Sequence, residues 1–520
     1  MSQKRQRLLI GFILTLIIVG ILDTAYLTLH YLDGSISSLS CSVGIFSDCG
    51  RVLTSVYSRI FGIPLAVIGL VYYTILLQLF IFSHRTKKTV FIYGLFLVST
   101  IGLLASIYFM YLQLFVLKTL CLMCSISALT SFLLYLCIRI GYWRAYQALV
   151  LKKIELLYRY IVKPIFFTIN PEFLHERFLH LGATLGASRF LTSLTAPVFR
   201  YKNKTLAQKL HGVSFPNPIG LSAGYDYEAR WARFSGSVGF GFTTVGTISN
   251  LPFAGNKKPR LGRLPRSKAL LANKGFRNPG AKEVIKRLQG KAFDIPVGIS
   301  IGRTNRADID TQKLAIADIV AAFEQFESSR VQNAYYELNI SCPNLKKGVD
   351  FYALKDLAPL LKAVQALKIK QPIFVKMPID KTDKHSLNMV EAIHKHHFAG
   401  VIFGNLQKDR NHPSLVPQEV ARMGKGNFSG KPTYERSNEL ILATYRAFKK
   451  DITIVGCGGI FSAQDAYEKI IRGASLLQLI TGMIYEGPQC MTQINRGLVD
   501  LLKKNGFSYI SQAVGSMVQK

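Results

Sequence analysis

Acidic residues are scarce in this 520-residue chain: 30 Asp+Glu stand against 64 Lys+Arg, for a formal charge of +34. Charged residues of both signs reach only 18%, hydrophobic residues make up 49%, and mean hydropathy is +0.23. That balance excludes a disordered polymer and argues against a protein living wholly in water. Excess cations suit either nucleic acid or an anionic membrane surface. No nucleic-acid recognition motif is present and the basic residues cluster near apolar segments, so no nucleic-acid partner is expected. The first apolar run lacks the small-residue cleavage pattern of a signal peptide. His394, His396 and His397 read as a solvated helix end, and no cluster with the geometry of a metal site is apparent, so no metal is expected.

What the chain does have is long apolar runs, all in its first 140 positions. Residues 8–29 are interrupted only by Asp23, and further runs follow at about 61–82, 90–112 and 118–138. Each approaches the about 20 residues that a helix needs to cross a hydrocarbon layer of about 30 Å. Lys4, Arg5 and Arg7 precede the first run, Arg85, Lys87 and Lys88 separate the second and third, and Arg139, Arg144, Lys152 and Lys153 follow the fourth. With four spans these clusters share one side, which the positive-inside bias makes the cytoplasm. Residues 30–60 then form the long external loop, with a short turn at 113–117 beside it; Arg51, Arg59 and Lys118 weaken the contrast without reversing it.

Cys41 and Cys49 fall in that loop, and Cys121 and Cys124 form a CLMC motif at the external start of the fourth span. An i,i+3 pair at a helix start places both sulfurs on one face, where the helix end favours a thiolate. A second pair in a loop can pass electrons to it by disulfide exchange. Cysteine is also an ordinary packing residue in apolar helices, which suits Cys137.

Cys41, Cys49, Val52, Ser55, Tyr57, the FGIP run at 61–64, Cys121 and Cys124 together resemble the vitamin K epoxide reductase family over about residues 8–140. The resemblance implies a bacterial inner-membrane, multi-pass enzyme that oxidises a periplasmic dithiol protein and passes the electrons to the quinone pool. Cys41 and Cys49 would shuttle, and Cys121 and Cys124 would be the redox centre, with Cys124 touching the quinone ring. Ser55 would bond a quinone carbonyl; the alternative is a helix cap or a backbone bond. No thioredoxin-like domain is fused, so the dithiol partner is expected to be a separate thioredoxin-like protein.

Residues 141–210 hold eleven Lys+Arg against three acidic residues, interleaved with aromatics and leucines. An amphipathic stretch of this kind can lie on lipid at the cytoplasmic interface, or be a basic linker packed on its own domain. From about 211 the pattern alternates: candidate strands at 218–223, 242–246, 296–301, 335–340, 372–377, 400–404, 452–456 and 475–480, with helical stretches between most of them. Eight strands with helices between them fit a (β/α)8 barrel, whose chemistry lies at the C-terminal strand ends. Gly224, Asn339, Cys342, Lys376, Asn405, Gly458 and Thr481 fall there. The glycines of VGCGGIFS (455–462) and the later Thr481–Gly482 suit a phosphate held by backbone N–H groups. In NISCPNLK (339–346), Asn339 and Asn344 can bond a ring or carboxylate while Cys342 acts as base or nucleophile; alternatively Pro343 and Asn344 shape a turn and Cys342 is filler. Lys376 in a barrel interior calls for an anionic ligand or a structural ion pair. Cys457 and Cys490 read as structural.

The runs FPNPIGLSAGYD (215–226), GFGFTTVGT (239–247), KPRLGRLP (258–265), GFRNPG (275–280), NISCPN (339–344), VKMPID (375–380), 455–482 and YEGP (485–488) resemble dihydroorotate dehydrogenase. NPEFLHE (170–176) resembles its membrane-associated, quinone-dependent class, whose extra helices form a quinone tunnel, here roughly 155–210. The expected architecture is therefore a four-helix transmembrane bundle (1–140), a basic helical extension (141–210) and a TIM barrel (211–520). The resemblance implies FMN bound by Ala223, Gly224, Thr247, Asn339, Lys376, Gly458, Gly459, Thr481 and Gly482, and a small substrate on Asn344 and Asn405. Cys342 would be the general base that removes the C5 proton while C6 gives hydride to flavin N5, with quinone as the final acceptor. Several positions depart from the family: its lysine after Gly-Phe-Asp is Tyr227 here, expected asparagines are Ala272 and Ser300, its Asn-Thr-Thr run is Asn405, Leu406 and Gln407, and Cys342 stands where the membrane-associated class typically carries serine. Losing donors to an anionic substrate costs about 1.5–3 kcal/mol each. Lys274 and Arg277 are nearby candidates to compensate. Three readings stay open for the barrel: dihydroorotate dehydrogenase with an altered pocket, an FMN enzyme for another small substrate, or a non-catalytic flavin-binding domain.

Overall fold

A computed structural model describes residues 3–35, 48–86, 88–346 and 348–518, with side chains from residue 8 onward. The chain divides into two compact units, Met1–Val150 and Leu151–Lys520.

The first unit is built on four long apolar helices: α1 (Gln3–Leu32), α2 (Leu65–Thr86), α3 (Thr89–Tyr111) and α4 (Leu122–Gly141). Each is long and apolar enough to span a bilayer, which makes this a multi-pass membrane protein. Ile13, Ile17, Tyr73, Leu76, Leu95, Leu134 and Ile138 form a buried seam between them. Leu22, Leu29, Leu97, Ile101 and Leu104 face outward, as lipid requires. Gly20 admits the Tyr73 ring, which a Cβ would meet at 2.3 Å, the close approach that small residues allow in membrane bundles.

Two boundaries differ from the sequence reading. The second span starts at Leu65 because Arg59–Ile60 and Ile63–Pro64 pair as a small antiparallel hairpin, turning through Phe61 and Gly62 at positive φ. The expected turn at 113–117 is still helical: LQLFVL contains no breaker, and Leu112–Leu117 continue α3 with wider turns. The break comes at Lys118, whose φ is 50°.

The second unit is a closed parallel barrel of β1 (Ile219–Leu221), β2 (Phe242–Ile248), β3 (Val297–Ile301), β4 (Tyr335–Asn339), β5 (Ile373–Met377), β6 (Gly400–Phe403), β7 (Thr453–Cys457) and β8 (Ala474–Leu479). Each pairs with its sequence neighbour, and β8 pairs with β1 through Leu477 and Ile219. All eight lie where the apolar runs predicted strands. A hairpin, Gln208–Leu210 with Val213–Phe215, closes the N-terminal end, where Phe215, Phe242, Tyr335 and Phe374 cluster. Over the opposite end lies an antiparallel sheet of Leu261–Leu264, Ala269–Ala272 and Asn427–Gly430.

Before the barrel come α5 (Trp143–Leu157), α6 (Pro171–Ala187) and α7 (Arg189–Phe199). Asn170 caps α6, accepting from the N–H groups of Glu172 and Phe173, with Pro171 in the first turn. α6 docks on the barrel by close approach: the Trp231 indole N–H donates to the Phe178 carbonyl at 2.8 Å, and a Cβ on Gly182 would meet that nitrogen at 1.8 Å. α7 leaves Phe190 and Leu194 exposed.

Candidate functional sites

In the membrane unit, Cys121 is the N-cap of α4, and its sulfur accepts from the Cys124 backbone N–H at 3.4 Å. A helix N-terminus favours negative charge on such a sulfur. The Cys121 backbone N–H donates to the Gln113 side chain at 2.9 Å, so the wide-turned end of α3 holds the CLMC motif in place. Cys121 is buried, Cys124 partly so, and neither is in a disulfide. Cys49 begins a short helix, Cys49–Thr54, capped by Asp48. Cys49 is disulfide-bonded, and it packs with Val52, Cys121 and Cys124 in one cluster. Cys41 lies outside the described residues. Cysteines far apart in sequence therefore meet at one end of the bundle. The Ser55 hydroxyl donates to the Val52 carbonyl at 2.8 Å, the backbone bond named as its alternative role.

In the barrel unit one cavity of about 690 Å³ opens at the C-terminal strand ends. Ala223, Gly224, Thr247, Asn339, Cys342, Asn344, Lys376, Asn405, Gly458, Gly459, Thr481 and Gly482 all line it. Its other wall is apolar and comes from the extension: Leu157, Val162, Phe166, Phe167, Leu174, Phe178, Leu181, Leu185 and Phe199. A polar floor under an apolar wall suits an amphipathic ligand above a planar one.

Gly458 and Gly459 follow β7 at φ +94° and +71°, and Cβ atoms there would lie 2.3 Å from Thr433 Oγ1 and 2.5 Å from Tyr434 Cβ. Gly482 is equally confined, with the Ile460 carbonyl 2.0 Å from a Cβ. No side chain fits at these positions, so bare backbone lines the cavity here, which suits a phosphate-bearing group such as FMN. Thr481 sits beside them, sharing a hydrogen bond with Ser429 at 2.9 Å.

Lys376 ends β5, is 4% exposed, and donates to Ser222 Oγ at 2.9 Å. Among the described residues it has no carboxylate partner, so the ion-pair alternative fails there. Asn339 donates to Thr247 Oγ1 at 2.7 Å, Asn405 to the Ser341 carbonyl at 2.7 Å, and Asn344 to the Ala272 carbonyl at 3.0 Å. These bonds fix the three amide planes at the cavity wall. Burial pushes the Cys342 thiol up to about 11, while the Asn344 N–H, Arg303, Lys376 and Lys408 pull it down. Cys457 also lines the cavity, whereas Cys490 is buried.

Tyr227, at the position of the family lysine, turns to α6. Its hydroxyl donates to Glu176 at 2.6 Å, and Arg277 binds both groups. Arg277 is thus committed to Glu176, whose carboxyl is held at about 2 although burial opposes it. Lys274 instead reaches the cavity, with Nζ 2.9 Å from His175 Nδ1 and 4.2 Å from the Tyr227 ring centre. His175 escaped the sequence reading. Its only signal was its place in NPEFLHE.

A membrane bundle with clustered cysteines and a strand-end cavity edged by bare glycine backbone define a class: a membrane-bound oxidoreductase with two redox units. Residues 205–502 match the dihydroorotate dehydrogenase family and residues 12–138 the vitamin K epoxide reductase family. The chain is 37% identical to the quinone-type dihydroorotate dehydrogenase of Rippkaea orientalis, over 66% of this chain and 94% of that one. It is 37% identical to that of Mycolicibacterium smegmatis, over 63% and 89%. The crystal structure of the Eimeria tenella DHODH in complex with ferulenol superposes with a TM-score of 0.59 at 25% identity, covering 67% of this chain and 96% of that one. The chain belongs to the dihydroorotate dehydrogenase family and carries a vitamin K epoxide reductase family domain at its N-terminal end.

Proposed function

We propose that the barrel is an FMN-dependent dihydroorotate dehydrogenase that passes its electrons to quinone, and that the membrane unit oxidises a dithiol protein and reduces the same quinone pool. The observation that carries the barrel reading is the convergence of the motif residues and the apolar extension on one cavity. Gly458, Gly459, Thr481 and Gly482 would hold the FMN phosphate, with Ala223, Gly224, Thr247, Asn339 and Lys376 along the rest of the group. FMN, when bound, supplies the acceptor for the electron pair leaving the substrate. Asn344 and Asn405 orient the substrate ring, and Cys342 Sγ takes the proton from the carbon beside the one that is oxidised. The extension excludes water and admits the quinone from the lipid side. The exposed Phe190 and Leu194 of α7 and the basic residues of 141–210 support contact with the membrane surface.

In the membrane unit, a partner dithiol reduces the Cys41–Cys49 pair by exchange. Those thiols reduce a Cys121–Cys124 disulfide, and the two electrons and two protons released when that disulfide re-forms go to quinone. The packing of Cys49 against Cys121 supports the second transfer. The flanking charges support a periplasmic cysteine loop and a cytoplasmic barrel in a bacterial inner membrane. The deciding experiment is anaerobic addition of dihydroorotate to the detergent-purified protein: bleaching of the flavin supports the proposal. A second reading, an FMN oxidoreductase for another small substrate, is favoured by Tyr227 and Ala272. Full flavin occupancy without bleaching by dihydroorotate would select it.

A further inference from the structure

Among the described residues, Lys376, Arg263 and Lys274 line the barrel cavity without a carboxylate partner; Lys376 donates to Ser222 and Arg263 to the Ile169 carbonyl, whereas Lys274 meets only a histidine ring and a tyrosine face. Arg260 is paired with Glu172 at 2.6 Å, Arg277 with Glu176, and Arg230 and Arg287 with Glu228 at 2.6 and 2.8 Å. Those pairs use the carboxylates around Lys274, and among the described residues none lies within ion-pair distance of its Nζ. Lys274 is half-buried and lines the cavity. His175 cannot neutralise it. Its Nε2 lies 2.9 Å from the Tyr225 carbonyl, which can only accept, so Nε2 carries the ring proton and Nδ1 is left to accept from Lys274. A half-buried ammonium answered only by a neutral imidazole and a ring face loses hydration without gaining a counter-charge, a cost that an anionic ligand would remove.

We infer that Lys274 is an anion-binding residue of this cavity, and that its ammonium pairs with an ionised oxygen on a ring ligand. The inference rests on the cavity's reading as a substrate and quinone site, and it names the residue that replaces the ammonium missing at Tyr227. Nζ stands 4.2 Å over the Tyr227 ring, so the charge is retained in space from a strand end 47 positions later in the chain (274 − 227). Two ring anions could take this place: the carboxylate of an orotate-type substrate, or an ionised hydroxyl on a quinone.

Burial, with Arg277 and Arg260, pulls the lysine down to about 7, against the pull of Glu176 and Glu172. The groups facing it are Glu172, His175 and Glu176 on α6, Tyr227 after β1, Arg260 on the covering sheet, and Arg277 on its own loop. Burial and Lys274 hold His175 well below its ordinary value, so His175 stays neutral across the neutral range. A free lysine half-charged near pH 7 must be protonated to hold an anion. Binding therefore takes up a proton, and affinity falls about tenfold per pH unit above 7.

The test uses the full-length holoprotein in detergent, titrated calorimetrically with orotate and, separately, with a hydroxynaphthoquinone. Titrations run from pH 6 to 9 in buffers of different ionisation enthalpy. Uptake approaching one proton above pH 8 with orotate places Lys274 on the substrate side; the same uptake with the hydroxynaphthoquinone places it on the acceptor side. In either case Lys274→Met should lose the uptake and bind that ligand at least tenfold more weakly, and Lys274→Arg should bind it without pH dependence. If orotate fails to bind while the hydroxynaphthoquinone couples to protons, the proposed substrate falls and this inference stands. Binding of both ligands with no proton uptake in the wild type would overturn the inference alone, without recourse to any variant. Binding of neither would overturn it together with the proposed function.

Discussion

Replacing Gly458 by alanine tests the proposed phosphate site directly. At φ +94° an L-residue costs about 1–2 kcal/mol more than glycine. The new methyl would lie 2.3 Å from Thr433 Oγ1 and 3.1 Å from Thr433 Cβ. Thr433 cannot swing away freely, because it is fully buried and its hydroxyl donates to the Gly430 carbonyl at 2.8 Å. Overpacking of this kind costs about 1–3 kcal/mol. Gly458 lines the cavity, so a shift of this loop should carry the combined cost of about 2–5 kcal/mol into FMN binding, a loss of roughly 30-fold or more. The assay is the flavin-to-protein absorbance ratio after purification, followed by FMN titration of the apoprotein. Adding Thr433→Ala removes the 2.3 Å contact but not the backbone term, so the double variant should recover part of the affinity. Wild-type FMN occupancy and affinity in Gly458→Ala would refute the assignment of this loop to the phosphate.

Three further outcomes are expected. Cys342→Ala should slow flavin bleaching by dihydroorotate by about 10²–10⁴-fold; in the wild type, with the thiol at about 11, the thiolate fraction and the bleaching rate should rise about tenfold per pH unit from pH 6 to 9, and a flat stopped-flow profile would count against Cys342 as the base. Gly182→Ala would ordinarily strengthen a helix by about 1 kcal/mol; here its methyl meets the Trp231 indole at 1.8 Å, so it should loosen α6, open the 188 region to proteolysis and slow quinone reduction more than bleaching. Cys121→Ser and Cys124→Ser should each abolish quinone-linked oxidation of a dithiol protein while leaving dihydroorotate bleaching at the wild-type rate, and dithiol oxidation that persists in both would remove the proposed thiol route.

Much of the architecture was readable from local pattern. An apolar run long enough to cross lipid needs no partner to declare itself, because a backbone in hydrocarbon must satisfy its own hydrogen bonds. The barrel strands were visible for a related reason: strands buried on both faces are short apolar runs, and turn residues mark their ends. The chemistry at those ends was equally local, with Gly458–Gly459, Thr481–Gly482 and NISCPN each a contiguous motif. Segment ends were less certain. Whether residues 59–64 enter the second span or pair as a hairpin depends on Phe61 and Gly62 adopting positive φ, which hydropathy does not register.

Side-chain convergence belonged to the tertiary structure alone. Sequence could name Tyr227 as a departure and Lys274 or Arg277 as neighbours, but not which cation was free. That was settled when α6 brought Glu176 to Arg277 and His175 to Lys274, across 101 and 99 positions of chain. In the membrane unit, packing likewise set Cys49 against Cys121. Periodicity and motifs carry information about a residue's own segment, whereas charge compensation depends on which segments meet, and only the folded chain decides that.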